Sequence, residues 1–400
     1  MTDSINGKHL DLSPEGVASE EYTVTYRQTV NLRSPGPTPL PPRVVQAMTH
    51  EMIFHRTQEC RDLVEDVVTN LKQVFQTAHD VFIYPSSGTG GWEAAVANLF
   101  SPGDHVLNVS TGEFGERFGE VAEAFNLRVE KMALAWGTAA DPAQIEEFLR
   151  RPEMRDIKGV LCVHNETSTA VTNDIQGIAR VVKGMGKVLV VDSVSGLGGI
   201  SLEQDNWGVD VVLTTTQKTW MSPPGLMMMS VSPDAWKLHA QAQLPRYYWD
   251  WTKAKKFMEK WETPNTPPIS ILYAIQEALH MIGEETLQGV FDRHAHLAQL
   301  CRTGVQALGL SLYPQVDSPA RYSNTVSAFN LPASAPSTAV LKFMRERHKT
   351  VLAGGQGKTK ETMLRIAHMG YAHEADIQYV LLGLRDCIGQ LAPQLQAVAV

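Results

Sequence analysis

Lys218 stands at the end of a run whose side chains change abruptly in character. Residues 209–213 are mostly apolar and β-branched, Thr214, Thr215 and Thr216 bring hydroxyls, and Gln217 precedes the lysine. Ser222-Pro223-Pro224-Gly225 lies just beyond. Upstream, Val188-Leu189-Val190-Val191 ends in Asp192. Taken alone, Lys218 reads as a surface lysine and Asp192 as a helix-cap or turn residue. Their shared placement after buried-looking runs describes a cofactor pocket instead. A primary amine can form a Schiff base, and a carboxylate beside a pyridine nitrogen strengthens an electron sink. The pair suits pyridoxal phosphate (PLP).

Two further features fit a phosphorylated cofactor and an anionic substrate. Ser86-Ser87-Gly88-Thr89-Gly90-Gly91 joins a strand-like run to a helix-like one. Free N–H groups and hydroxyls at a helix start would seat a phosphate, and a plain tight loop is the alternative. The stretch lacks the G-x-G-x-x-G order of a dinucleotide fold and the lysine of a P-loop, so neither NAD nor ATP is favoured. Arg365 lies in the apolar segment Met363-Leu364-Arg365-Ile366-Ala367. A guanidinium there needs an anion, either a substrate carboxylate held by two parallel bonds or an internal acidic side chain.

The elements that must position these residues follow a rhythm. Apolar runs at 81–84, 105–109, 159–163, 188–191, 209–213 and 226–231 read as strands. Helix-like stretches at 91–100, 113–125, 142–149 and 177–183 lie between them. Strand alternating with helix predicts a mostly parallel α/β sheet, whose ligands sit at the carboxyl ends of the strands. A helix start is expected at Pro41-Pro42-Arg43. Helices at 269–282, 286–308 and 337–348, mixed with short strands, predict a smaller α+β unit. The expected division is an arm at 1–30, a large cofactor-binding domain at 31–282 and a small domain at 283–400.

The bulk numbers agree with an enzyme of this kind. Four hundred residues, 43% of them hydrophobic and 20% charged, exceed one ordinary core. A net charge of -8 argues against nucleic acid or an anionic membrane as the main partner. The four cysteines form no C-x-x-C pair, so neither a zinc site nor a disulfide framework is expected. No stretch reaches the roughly 20 apolar residues of a membrane span. Residues 1–20 carry no signal-peptide core and the last three residues no targeting tripeptide, so a cytoplasmic protein is expected.

In their order along residues 30–375 these pieces resemble the class V, fold-type I aminotransferases of the serine–glyoxylate and alanine–glyoxylate branch. The resemblance rests on Pro35-Gly36-Pro37, Ser87-Gly88-Thr89-Gly90, His164-Asn165-Glu166-Thr167-Ser168-Thr169, Asp192-Ser193-Val194, Gln217-Lys218 and Arg365-Ile366. It implies a seven-stranded, mostly parallel sheet sandwiched by helices, and PLP held covalently by Lys218, which also shuttles the proton. Asp192 would pair with the ring nitrogen, with Val194 and Phe114 on the two ring faces. Ser87, Gly88, Thr89 and Gln217 would hold the phosphate, and Thr167 the ring hydroxyl. Arg365 would clamp the substrate carboxylate, with Pro35 and Gly36 on the substrate side. Thr266 would reach the phosphate of a neighbouring subunit, which implies a homodimer with shared active sites. A tyrosine frequent near this threonine in the family is replaced here by Asn265 or Thr263.

The implied reaction is ping-pong transfer of an amino group from a small L-amino acid, serine or alanine, to a 2-oxo acid such as glyoxylate or pyruvate. No metal is implied. A lyase or hydrolase of the same fold, and a non-catalytic PLP-binding protein, are the alternatives. Cysteine desulfuration needs a mobile nucleophilic cysteine, whereas Cys301 and Cys387 lie in helical patterns. Arg246 and Arg321 are candidate readers of a substrate side chain, and Trp249, Trp251 and Trp261 candidate pocket walls or packing residues.

Overall fold

A computed structural model describes residues 30–393, so the expected arm, apart from Val30, lies outside the described residues. Seven strands form the central sheet: β1 (Asp80–Ser86), β2 (His105–Ser110), β3 (Arg128–Ala133), β4 (Gly159–Val163), β5 (Val188–Asp192), β6 (Val211–Thr215) and β7 (Gly225–Val231). Their spatial order is β1-β7-β6-β5-β4-β2-β3. β7 pairs antiparallel with β1 and β6, and every other pairing in the sheet is parallel. This is the expected mostly parallel sheet.

Strands buried on both faces read as continuous apolar runs, and β4, β5 and β6 are buried throughout. β3 fell outside the expected runs because it is the exposed edge, where Arg128, Glu130 and Lys131 alternate with apolar residues. Such charge blunts pairing with another chain.

The pleat divides the core in two. Ile83, Leu189 and Val191 pack with α1 (Gln58–Phe75) on one face. Tyr84, Val188 and Val190 pack on the other with α2 (Gly88–Leu99) and α3 (Glu113–Ala124). α1 is a long helix outside the expected segments. Its buried positions 60, 63, 64, 67, 68, 71, 74 and 75 follow the helical period, and the Thr57 side chain accepts from the Cys60 N–H. The same core also takes in α4 (Ile175–Gly184) and α5 (Ile269–Glu285).

Beyond α5 the chain builds a three-stranded antiparallel sheet of β8 (Val326–Asn330), β9 (Ala353–Gly354) and β10 (Met363–Ala367), with β10 in the centre. One face packs under α6 (Leu287–Ala307), α7 (Ser337–His348) and α8 (Glu374–Leu391) through Phe329, Leu364 and Ile366. The other, through Val326, Ala328 and Met363, meets Ala170 of the large sheet's loops. Two boundaries shift in ways that matter. α2 starts at Gly88 rather than 91, so the Gly/Ser/Thr stretch is itself the helix's first turn. β6 ends at Thr215, and Lys218 stands in the turn three residues past it rather than at the strand end.

Candidate active site

The carboxyl ends of β5 and β6, the start of α2 and the start of α3 surround a cavity of about 180 Å³. Ser87, Gly88 and Thr89 line it from α2, and Phe114 from α3. Asp192, Val194, Gln217 and Lys218 line it from the strand ends, and Thr167 from the loop after β4. Residues more than 100 positions apart thus meet because parallel strands direct their carboxyl ends to one side.

Asp192 is the last residue of β5 and only 4% exposed. The Val194 N–H donates to its Oδ1 at 2.7 Å and the Trp92 indole N–H to its Oδ2 at 2.8 Å. Burial pushes its carboxyl up to about 6, although both hydrogen bonds pull the other way. Lys218 faces it from the neighbouring turn. Burial brings the amine down to about 8, and the Arg365 charge lowers it further than Asp192 can restore. An amine so placed is neutral far more often near physiological pH than a free lysine, which favours a nucleophile or base.

Pro35 and Gly36 do not line the cavity but press on the lysine. Lys218 Nζ donates to the Pro35 carbonyl. A Cβ on Gly36, whose φ is +98°, would come within 2.6 Å of Lys218 Cδ. This glycine is required twice, by backbone angle and by close approach. The Thr38 hydroxyl also donates to the Lys218 carbonyl at 2.9 Å.

Arg365 sits on β10 and is 7% exposed. Its Nε donates to the Gly354 carbonyl at 2.9 Å, and its Nη1 to the Thr167 carbonyl and to Gln356 Oε1, both at 3.1 Å. No ion pair of Arg365 with a carboxylate occurs among the described residues, so the internal salt bridge is absent. The balancing charge nearby is Glu166, itself pushed upward by burial. Glu166 accepts from the Phe114 and Gly115 N–H groups at 3.4 and 3.0 Å and from the Ser168 hydroxyl. It therefore fastens the start of α3, and Phe114 with it, to the loop that carries Thr167.

The donor set fits PLP. The start of α2 has no side-chain cap and no acidic residue in its first turn, so its N–H groups are available to a phosphate. Gly88 lets backbone approach closely, since a Cβ there would lie 2.9 Å from Val194. Gln217 Oε1 is buried without a hydrogen-bond partner, an orphaned acceptor that marks a position for a ligand or water donor, while a phosphate would be met by the amide N–H groups of the same side chain.

Other expectations land elsewhere. Arg246 turns into the carbonyls of Ala97, Ala242 and Leu244, and Arg321 pairs with Asp174 at 2.8 Å in a separate cleft. Neither reads a side chain in the cavity. Trp249 packs edge-on against Tyr84, Trp251 stacks on His239, and Trp261 packs against the sheet's first core. All four cysteines are buried, and burial pushes Cys301 up to about 12 and Cys387 up to about 11, far from a reactive thiolate. Thr266 is exposed and does not line its own chain's cavity. Trp92, Asn165 and Ser195 line the site without having been singled out. For Trp92 the signal was an indole one helical turn after the phosphate stretch.

Known proteins resemble this chain along most of its length. The serine–glyoxylate aminotransferase of Methylorubrum extorquens is 35% identical, over 87% of this chain and 88% of its own. A protein of Synechococcus sp. named as the small subunit of a soluble hydrogenase is 37% identical, over 90% and 93%. The crystal structure of a subgroup IV aspartate aminotransferase from Thermus thermophilus superposes with a TM-score of 0.82 at 30% identity, covering 90% of this chain and 99% of that one. Among the described residues no three His, Cys, Asp or Glu side chains converge on a metal position. The aminotransferase class-V family profile matches residues 30–380, and this chain belongs to that family.

Proposed function

We propose that this chain is a PLP-dependent aminotransferase that passes the amino group of a small L-amino acid, serine or alanine, to glyoxylate or pyruvate by a ping-pong mechanism. The observation that carries the reading is the meeting of Lys218 and Asp192 at one buried cavity. When bound, PLP supplies a ring that stabilises negative charge at the substrate α-carbon.

The residues supply the rest. Lys218 Nζ would hold the cofactor covalently, and as a free amine it would move the proton of the substrate α-carbon. Its lowered pKa keeps it competent for both tasks. Asp192 holds a proton on the ring nitrogen. Ser87, Gly88, Thr89 and Gln217 grip the phosphate, Val194 and Phe114 flank the ring, and Thr167 binds its hydroxyl. Arg365 orients the α-carboxylate, with Pro35 and Gly36 behind the lysine. The preference for small donors follows from the lining, in which Lys218 is the sole basic side chain among the described residues.

The proposal extends to the assembly. A large domain at 31–282 would carry Lys218 and a small one at 283–400 would carry Arg365. Thr266, exposed and outside its own chain's cavity, would reach the phosphate of a second copy in a homodimer with shared sites. No helix of the described residues is long and apolar enough to cross a membrane, and the proposed compartment is the cytoplasm.

The test is the visible spectrum of the purified protein before and after serine or alanine, without an acceptor. The yellow of a lysine-linked cofactor should bleach with either amino acid, and more slowly with aspartate or glutamate. A yellow protein indifferent to all four would sink the proposed donors, and a protein that takes up no PLP would sink the whole reading.

The lysine pKa adds a second expectation. Only neutral Lys218 can attack an aldehyde. Covalent loading of the cofactor-free protein should therefore accelerate about tenfold per pH unit below about 8 and level off above it. A profile still rising at pH 10 would show that the amine is not perturbed.

A further inference from the structure

The geometry points to Trp92 as a positioning residue that fixes the carboxylate of Asp192 through its indole N–H. The inference rests on the reading of the cavity as a PLP site but concerns a contact within this chain. Trp92 lies on the first turns of α2 and is 2% exposed. Its Nε1 is 2.8 Å from Asp192 Oδ2, a bond wholly buried and spanning 100 positions of sequence.

Two donors divide the carboxylate between them. The Val194 N–H takes Oδ1 and the Trp92 N–H takes Oδ2. One donor per oxygen fixes the plane of the group and leaves a further lone pair on each oxygen for a cofactor. The Val194 bond comes from the backbone two residues on and would form with almost any side chain at 194. The Trp92 bond depends on an indole.

The ring itself is clamped. Trp92 stacks on Phe118 of α3, with centroids 5.4 Å apart and planes 17° apart. The Arg117 guanidinium lies 5.6 Å from the Trp92 ring centroid and 5.8 Å from that of Phe114. A cation over the ring draws electron density from the indole and makes its N–H a stronger donor. Arg117 thereby joins the residue beneath the carboxylate to the aromatic beside the ring.

A donor to a carboxylate favours its ionised form. The bond therefore keeps the shared proton on the ring nitrogen rather than on Asp192, where the ring would lose its pull on electrons. The groups around Asp192 set the background. Glu166 opposes its charge, Lys218 supports it, and Cys162 and His164 are held neutral by burial.

The test compares holoenzymes of the wild type, Trp92→Phe and Phe118→Leu. Trp92→Phe keeps an aromatic ring but removes the donor, whereas Phe118→Leu loosens the stack and keeps the donor. In Trp92→Phe the midpoint of the pH titration of the yellow band should move by about one pH unit. The value of kcat should fall about tenfold with KM for the amino acid little changed. Phe118→Leu should show both effects more weakly than Trp92→Phe at saturating PLP. A Trp92→Phe protein whose band titrates like the wild type would overturn the inference, even with a lowered Tm, since packing alone would then explain the residue. A wild type that never turns yellow would fail the functional reading instead. A second measurement does not depend on that variant folding. In wild-type protein carrying 15N-labelled tryptophan, one indole N–H should exchange slowly and lie downfield, and it should shift in Asp192→Asn. Indole signals indifferent to that change would also overturn the assignment.

Discussion

Lys218→Ala is expected to lose the covalent cofactor link and to reduce transamination by about four orders of magnitude or more, with the fold intact. The size follows from what one amine does. It is the nucleophile that holds the cofactor and the base that moves the α-proton, and each role contributes separately. No other side chain can substitute, because the neighbours of the amine are the Pro35 carbonyl and the Gly36 backbone. Added methylamine could restore a fraction of the proton transfer but not the link. Transamination at a wild-type rate in this variant would end the mechanism.

Stability should move in the opposite sense from activity. Burial lowers the Lys218 pKa from 10.5 to about 8 in the folded protein. Between those values the unfolded chain binds more protons, so wild-type stability rises with pH across that window. At pH 7 the charged amine is a burden to the fold, and the alanine variant is relieved of it. In the cofactor-free proteins its Tm should equal or exceed that of the wild type, with a flatter pH profile from 8 to 10.5. A large loss of Tm would mean that the lysine supports the turn it sits in.

What could be read from the chain alone depended on burial. β4, β5 and β6 are buried on both faces and so appear as unbroken apolar runs, and Asp192 was placed correctly because it ends one of them. Edge strand β3 was invisible for the complementary reason, since an exposed edge is stabilised by charge. Lys218 was located to within three residues of its strand, because a turn of Thr216 and Gln217 looks like a continuation of Thr214 and Thr215. Arginines were harder. Arg246 and Arg365 both lie close to apolar stretches and both donate to carbonyls, but the acceptors of Arg246 belong to its own surroundings whereas one acceptor of Arg365 is the carbonyl of Thr167, which lines the cavity. Nothing local distinguishes them, because the difference lies in which distant element supplies the acceptor. Glu166 and Trp92 were passed over for the same reason. Each acts through contacts with a segment more than 50 residues away, Glu166 with the backbone of Phe114 and Gly115 and Trp92 with Asp192.

Arg365→Ala should weaken the amino acid substrate by roughly a hundredfold to a thousandfold in KM and leave cofactor affinity within about threefold, the cost expected when one member of a desolvated charge pair is removed. The guanidinium is poised for such a pair. Nε and Nη1 are committed to Gly354, Thr167 and Gln356, which fixes its plane, while Nη2 makes no hydrogen bond among the described residues. Nη2 can donate to a carboxylate as the groups stand, and a second, parallel bond would form once Nε or Nη1 exchanges one of these partners for the substrate. Arg365→Lys should recover only part of the loss, because an ammonium offers a point charge without the fork. A second consequence separates substrate capture from a structural role. The Arg365 charge helps lower the Lys218 pKa, so in Arg365→Ala the pH at which covalent loading reaches half its maximal rate should rise. Its charge also balances Glu166, and without it that buried carboxyl should take up a proton more readily, loosening its hold on the start of α3. Equal losses of substrate and cofactor affinity, with no change in the loading profile, would make Arg365 a strut of the small sheet instead. Loss of substrate affinity together with the shifted profile requires the guanidinium to face both the carboxylate it captures and the amine that reacts.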